Sequence, residues 1–234
     1  MTPKIIALVP AAGSGARFGA ALPKQYADIS GLPLIYYTLK ALLGVAKIDA
    51  VAVVLSPDDS HWQNYADIWH SLGERLITFD VGGATRSETV GNGLTAIAKR
   101  IQVQDDDWLL VHDAARPCIT SHLIETFVAA LAADPVGGLL ALPINDTVKL
   151  VDAHGRVAKT VPREGLWRAQ TPQMFRYRQL ALALARCPAA TDEAQAIESL
   201  GLQPMLVPGS NTNLKVTTPP DLDFARAVLS KENS

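Results

Sequence analysis

A chain of 234 residues, 48% hydrophobic and with a formal net charge of −2, can bury the core of one large α/β domain, or of one domain with a small appendage. The near-neutral charge without a basic cluster excludes bulk nucleic-acid binding. With neither a signal-like start nor an apolar run long enough to span a bilayer, no membrane contact and a cytoplasmic location are expected. Cys118 and Cys187 are the only cysteines; two free thiols are expected, with a single disulfide as the alternative. The five histidines show no H-x-x-x-H spacing, so no zinc site is expected.

Residues 4–10 are a short β-branched apolar run that ends in turn residues, the pattern of a buried strand. The following loop, P-A-A-G-S-G-A-R-F-G over 10–19, reaches Pro23 and Lys24. Gly13 and Gly15 let the backbone approach a ligand closely and offer N–H groups to phosphate oxygens. Arg17 and Lys24 add two positive charges, so the loop suits a triphosphate. Its spacing, G-x-G-x-x-x-G, is one residue longer than the dinucleotide fingerprint, and no G-x-x-x-x-G-K-[ST] is present. An ordinary strand–helix turn is the competing explanation.

Farther along, 33–44 reads as a helix with proline at its first turn and glycine at its end. Residues 50–55 read as a buried strand, 56–59 as the start of a helix reaching about 71, and 76–81 as a third strand. This alternation predicts a parallel sheet covered on both faces. Segment 82–90 then enters a helix reaching about 99. Gly82 and Gly83 would admit a flat base and the hydroxyls of Ser87 and Thr89 would read its edge; a glycine turn with a hydroxyl-rich helix start is the alternative. Strand 108–112 ends at Asp113, placed to hold a ribose hydroxyl or a phosphate-bound metal. His112 points to the opposite face and reads as structural, and Arg116 could be a structural partner of Asp113.

A helix over 121–133 and a strand over 137–144 follow. Residues 146–152 and 156–161 alternate polar and apolar around a turn, a β-hairpin pattern. Residues 163–173 lead back to the core, and helices follow near 177–185 and 192–200. Thr191 could simply cap the second of these. A strand near 206–208, a polar extended stretch carrying Lys215, and a helix from 218 to about 229 close the chain.

Seven blocks run in order from residue 10 to 217: P-A-A-G-S-G-A-R, P-K-Q-Y, V-H-D-A-A-R-P, D-T-V-K, L-W-R-A-Q-T-P-Q, T-D-E-A and N-L-K-V-T. Together they resemble the 2-C-methyl-D-erythritol 4-phosphate cytidylyltransferases of non-mevalonate isoprenoid synthesis. The resemblance implies a Rossmann-like α/β fold of the nucleotide-diphospho-sugar transferase type: a mostly parallel sheet, helices on both faces and a projecting hairpin. It implies one domain, 1–234, and a homodimer held by the 146–162 arm. The implied reaction joins CTP to methylerythritol phosphate and releases pyrophosphate, with Mg²⁺ bridged by the CTP phosphates and no protein ligand assigned to it. Catalytic roles fall to Arg17, Lys24, Arg163 and Lys215. Pro10, Ala11, Ala12, Gly13 and Gly15, with Gly83, Ala84, Thr89, Asp113 and Ala114, would hold the nucleotide. Thr147, Arg163, Thr171, Thr191 and Lys215 would hold the polyol phosphate. Ala84 stands where relatives often carry an acid, and Thr89 where a serine is expected. The alternatives are a ribitol 5-phosphate cytidylyltransferase, a nucleotide-sugar pyrophosphorylase for another base, and a silent nucleotide-binding regulator. Retention of all four catalytic cations argues against the last.

Overall fold

The computed structural model describes residues 2–13 and 22–232. Gly15 and Arg17 lie outside the described residues. The elements in chain order are β1 (Ile5–Pro10), the two-residue strands β2 (Asp28–Ile29) and β3 (Leu32–Pro33), α1 (Leu34–Leu43), β4 (Ala50–Val54), α2 (Ala66–Ser71), β5 (Leu76–Phe79) and α3 (Arg86–Arg100). Then come β6 (Trp108–Val111), α4 (Ser121–Leu131), β7 (Gly137–Pro143), β8 (Val148–Val151), β9 (Val157–Val161), β10 (Trp167–Arg176), α5 (Tyr177–Arg186), α6 (Glu193–Glu198), β11 (Met205–Pro208) and α7 (Pro219–Glu232).

Seven strands form one sheet in the order β11-β7-β10-β6-β1-β4-β5. β1 pairs in parallel with both β4 and β6. Successive β1 side chains serve opposite faces, as the two-residue repeat of a strand requires. Ile5, Ala7 and Val9 pack with Leu39, Trp62 and Phe127, while Ile6 and Leu8 pack with Val90, Leu94 and Leu180. With both faces covered, β1 and β4 can be nearly continuous apolar runs, which is how they read in the sequence. A third cluster, including Ile29, Leu34, Val216 and Leu222, ties α7 and the stretch before it to the β2–β3 corner.

Two elements depart from the sequence reading. Residues 56–71 form turns, one 3₁₀ turn over Trp62–Tyr65 and only the six residues of α2. The Asp59 carboxylate takes the backbone N–H groups of His61 and Trp62 and the Tyr26 hydroxyl, and Trp62 stacks on Trp69 at 4.2 Å. These contacts shape the segment in place of a continuous helix. The larger departure is β10, a ten-residue strand running antiparallel between β6 and β7. Pro172 and the polar Gln170, Thr171 and Gln173 hid it. Proline cannot donate to a ladder and is confined to edges and bulges, and here the pairing with β7 shifts register between Ala169 and Gln173, around that proline.

β8 and β9 form a separate two-stranded sheet, as the alternation predicted. Leu150, Val151 and Val157 on it are each at least half exposed. Cys118 is buried and Cys187 partly so, and neither is in a disulfide.

Gly138 on β7 is paired with Met205 of β11 and Met174 of β10, and a Cβ there would collide with the Met205 carbonyl. Gly138→Ala is therefore expected to force β11 outward and cost about 1–3 kcal/mol. Urea unfolding measures this, and an unchanged midpoint would show that the sheet edge yields freely.

Candidate active site

The order of the sheet locates the site. From β1 the chain lays β4 and then β5 to one side and returns to lay β6 on the other. In open α/β sheets the crevice beyond the strand ends at such a reversal takes the ligand. A cleft of about 600 Å³ opens there. Its walls come from the β1 loop and the Lys24 turn on one side and from the β5–α3 loop on the other, with Asp113–Ala115 and Lys215 between them.

The glycine-loop wall is tied back at its start. Ala11 N–H donates to the Val54 carbonyl, and the buried Gln25 donates its side-chain amide to the Ala11 carbonyl at 2.9 Å. Gln25 thus fixes the turn carrying Lys24 to the loop. Lys24 Nζ donates to the Val216 carbonyl at 3.2 Å and remains on the cleft wall.

The facing wall lies close because Gly82 has no side chain: a Cβ there would collide with the Ala12 methyl and sit 2.7 Å from the Leu55 carbonyl oxygen. Beyond it, Thr85 caps α3 by accepting the Glu88 N–H, and Glu88 reaches back to accept the Ala84 N–H at 2.9 Å. This is a capping box shifted by one residue. The space a Gly83 side chain would take is filled by Glu88. Thr89 accepts the Gly83 N–H at 3.1 Å and donates to the Thr85 carbonyl at 2.9 Å. Its hydroxyl, expected at a base edge, is committed to the loop backbone, although the residue lines the cleft.

The floor is Asp113. Its Oδ1 pairs with Arg86 Nε at 2.9 Å, and its Oδ2 with Lys215 Nζ at 2.9 Å and Arg116 Nε at 3.6 Å. Burial would raise its pKa, but Arg86, Lys215 and Arg116 outweigh burial and hold the carboxyl far below the usual range. Asp113 lines the cleft, and Arg116 is one of its ion partners. Arg86 also grips Glu193 with its two terminal nitrogens, at 2.6 and 3.0 Å. Glu193 is fully buried; burial raises its pKa against the pull of Arg86. Lys215 reaches the floor because its neighbour Val216 is buried and donates its N–H to the Ala115 carbonyl.

Of the residues singled out from sequence, Pro10, Ala11, Ala12, Gly13, Lys24, Gly83, Ala84, Thr89, Asp113, Ala114 and Lys215 line the cleft. Thr171 sits behind it, buried, its hydroxyl accepting the Asp113 N–H. Thr147 and Arg163 are exposed at the ends of the hairpin, and Arg163 donates to the Asn145 carbonyl. Neither lines the cleft of the single chain. Thr191 is exposed and faces the Gln195 side chain; the cap of α6 is Asp192 instead, accepting the Gln195 N–H. Sequence reasoning passed over Arg86 and Glu193. A cation at the first position of a helix opposes the helix dipole, and that was the available signal for Arg86. Glu193 read simply as a favourable acid in a first turn.

A family model, that of 2-C-methyl-D-erythritol 4-phosphate cytidylyltransferase, matches residues 5–231. This chain belongs to that family. It is similar to the 2-C-methyl-D-erythritol 4-phosphate cytidylyltransferase of Dechloromonas aromatica (strain RCB), 56% identical over 227 residues that cover 97% of this chain and 98% of the relative. The protein of that name in Nitrosomonas eutropha is 51% identical over 97% of each chain. A crystal structure of 4-diphosphocytidyl-2C-methyl-D-erythritol synthase superposes with a TM-score of 0.86 at 35% identity, covering 98% of this chain and all of that one. The cytidylyltransferase structure from Thermus thermophilus does so with a TM-score of 0.77 at 29% identity, over 97% and 99% of the two chains. As a member of the family the chain is an enzyme, a nucleotidyltransferase, and its mostly parallel sheet with helices on both faces is the family fold. No helix among the described residues is long and apolar enough to cross a membrane.

Behind the floor, His112 is completely buried, with Nδ1 3.0 Å from the Thr171 hydroxyl. Burial pushes its pKa from 6.5 down to about 4. The folded state thus binds fewer protons than the unfolded chain between those values, and stability falls as pH drops through that window. The expected loss is roughly 2 kcal/mol between about pH 7 and pH 5. Urea unfolding at both pH values should show this, and His112→Asn, which does not titrate, should flatten the slope. An equal slope in the variant would remove His112 as its source.

Proposed function

We infer that this chain transfers a cytidylyl group from CTP to 2-C-methyl-D-erythritol 4-phosphate, giving CDP-methylerythritol and pyrophosphate. Family membership over nearly the whole chain carries the reading. The cleft supports it, with the small residues Ala11, Ala12 and Gly13 on one wall, Lys24 beside them and Lys215 at the floor.

An oxygen of the acceptor phosphate attacks the α-phosphorus. The new P–O bond forms as the bond to the β-phosphate oxygen breaks, and pyrophosphate leaves with that electron pair. The nucleophile is already ionised, so no general base is required; the buried, neutral His112 is not asked to be one. Catalysis is then positioning and charge stabilisation. Lys24, with Arg17 from the same loop, meets the charge that grows on the α-phosphate and the leaving group. Asp113 has about four lone-pair directions. Arg86 and Lys215, each at 2.9 Å, take two of them, and Arg116 Nε stands off at 3.6 Å as an ion pair, which leaves room for a ribose hydroxyl. Lys215 spends one of its donors on Asp113 and keeps the others for the acceptor phosphate. The backbone of Gly83 and Ala84, which lines the cleft, faces the base.

Magnesium would come with the nucleotide substrate, held by its phosphates, and would supply neutralisation of their charge. Among the described residues no group of three potential metal ligands occurs, and the one carboxylate at the cleft, Asp113, is already bound by three cations. That donor set suits an ion carried by phosphates.

The hairpin completes the site from a second copy of the chain. An isolated two-stranded hairpin is marginal in water, and Leu150, Val151 and Val157 stand exposed on this one. A two-fold dimer would cover them and bring the partner's arm, with Thr147 and Arg163 at its base, to the acceptor phosphate.

Pyrophosphate release should occur with CTP and be weak with ATP or GTP; equal turnover with a purine would sink the cytidylyl reading. Lys24→Ala should lower kcat on the order of 10²–10³-fold, or about 3–4 kcal/mol, more than it raises KM. A well-folded variant with near-normal kcat would take Lys24 out of that role. Deleting 149–160 across a short turn should yield a monomer by light scattering with weakened acceptor use. A deletion that stays dimeric and fully active would show that the arm neither holds the dimer nor shapes the site.

A further inference from the structure

We propose that Arg86, held by Glu193, is a positioning residue for this reaction, orienting Asp113 and through it the acceptor-binding Lys215. The proposal rests on reading the cleft as the cytidylyl-transfer site.

Arg86 is the first residue of α3. The positive end of the helix dipole lies there, and a cation at that position is disfavoured unless anions compensate it. Two do, and they come from elements far apart in the chain. Glu193, on the first turn of α6, has a side chain only 1% exposed, and both its oxygens are taken by the terminal nitrogens of Arg86. Asp113, beyond β6, takes the third donor, Nε. A guanidinium is planar, and its N–H directions are fixed relative to one another. Gripping the two terminal nitrogens therefore sets the line along which Nε–H meets Asp113 Oδ1. Holding Oδ1 restricts the rotation of the carboxylate, and Oδ2 lies 2.9 Å from Lys215 Nζ.

Lys215 needs this. A lysine is a point charge on a flexible four-carbon stem, and this side chain is 37% exposed at the cleft. Its anchor at the charged end is Asp113. The chain of contacts Glu193–Arg86–Asp113–Lys215 thus runs from α6 by way of the start of α3 to the segment before α7. It links the element beside Thr191 to the acceptor end of the cleft. Lysine at position 86 would keep the charge but could not span both carboxylates in this geometry.

The test uses Glu193→Gln, Arg86→Lys and the double variant Arg86→Met/Glu193→Met, with steady-state pyrophosphate release and thermal unfolding measured on each. Glu193→Gln and Arg86→Lys should lower kcat/KM for methylerythritol phosphate on the order of 10–100-fold, the size of effect that a misplacement of about 1 Å produces. KM for CTP should rise by a smaller factor, because Asp113 supplies only one of the nucleotide's contacts. Replacing a buried ion pair by apolar side chains often preserves stability, so the double variant, in which Asp113 keeps Arg116 and Lys215, should be no less stable than Glu193→Gln and still show the low acceptor kcat/KM. A double variant with normal stability and normal kinetics would overturn the proposal and leave the pair as a structural staple. Arg86→Lys with wild-type kinetics would overturn it as well, and this single variant decides the matter should the double variant not fold. If the wild-type chain itself makes no CDP-methylerythritol from CTP, the cytidylyl-transfer reading fails. Wild-type turnover with unaffected variants rejects only the positioning role.

Discussion

Keeping Asp113 ionised while it is buried is the constraint around which the site is arranged. Taking a lone carboxylate out of water costs several kcal/mol, and here the compensation comes from three directions. Arg86 belongs to α3, Arg116 to Asp113's own loop and Lys215 to the stretch before α7. Each segment has an electrostatic reason to close on the end of β6, and each brings part of the cleft with it. The start of α3 brings the glycine turn at 82–83. The stretch around Lys215 brings the Val216 carbonyl that receives Lys24. The ion cluster and the walls of the cleft are therefore consequences of one another.

The antiparallel strand β10 serves the same arrangement from below. Its buried polar residues look misplaced in a central strand until their partners are traced. Gln170 donates to the Ser210 and Asn213 carbonyls, and Asn213 donates to the Thr171 carbonyl at 2.8 Å; together they anchor the loop that carries Lys215. Gln173 donates to Asp192 and accepts from the Ala194 N–H, which fixes the start of α6 on either side of Glu193. One strand thus registers both ends of the Glu193–Arg86–Asp113–Lys215 series. Buried polar groups are tolerated when they find partners, and these bonds hold the two loops to the sheet, with Asn213 Oδ1 alone of that amide left without one.

For a reaction between two polyanions this construction has a clear use. The substrates repel each other, and bringing them together requires fixed positive charge that does not collapse onto the protein's own acids. Pairing Lys215 with a carboxylate that other cations already satisfy leaves its remaining donors available. Charges and dipoles set before substrates arrive need no reorganisation during the reaction, which is where such sites gain most.

Much of this was legible in the chain by itself. The apolar runs of β1, β4 and β6, the glycine loop, the hairpin alternation and the order of the motif blocks led to the sheet, its covered faces, the family resemblance and most of the cleft residues. Those signals are local: period, spacing and residue type within a dozen positions. What escaped was non-local. β10 was hidden because its polar residues answer to loops some 40 positions away, and Pro172 is tolerated only where a register shift absorbs it. Residues 56–71 carried helical signals that Asp59 and the stacked tryptophans overrode. Thr89 lines the cleft as read, but its hydroxyl also holds the loop before α3, a bond that its position in the chain did not announce. The bond between Arg86 and Glu193 spans 107 positions. Neither residue is distinctive alone, because an ion pair acquires its meaning from burial and from its third partner, and burial is decided only when the chain has folded.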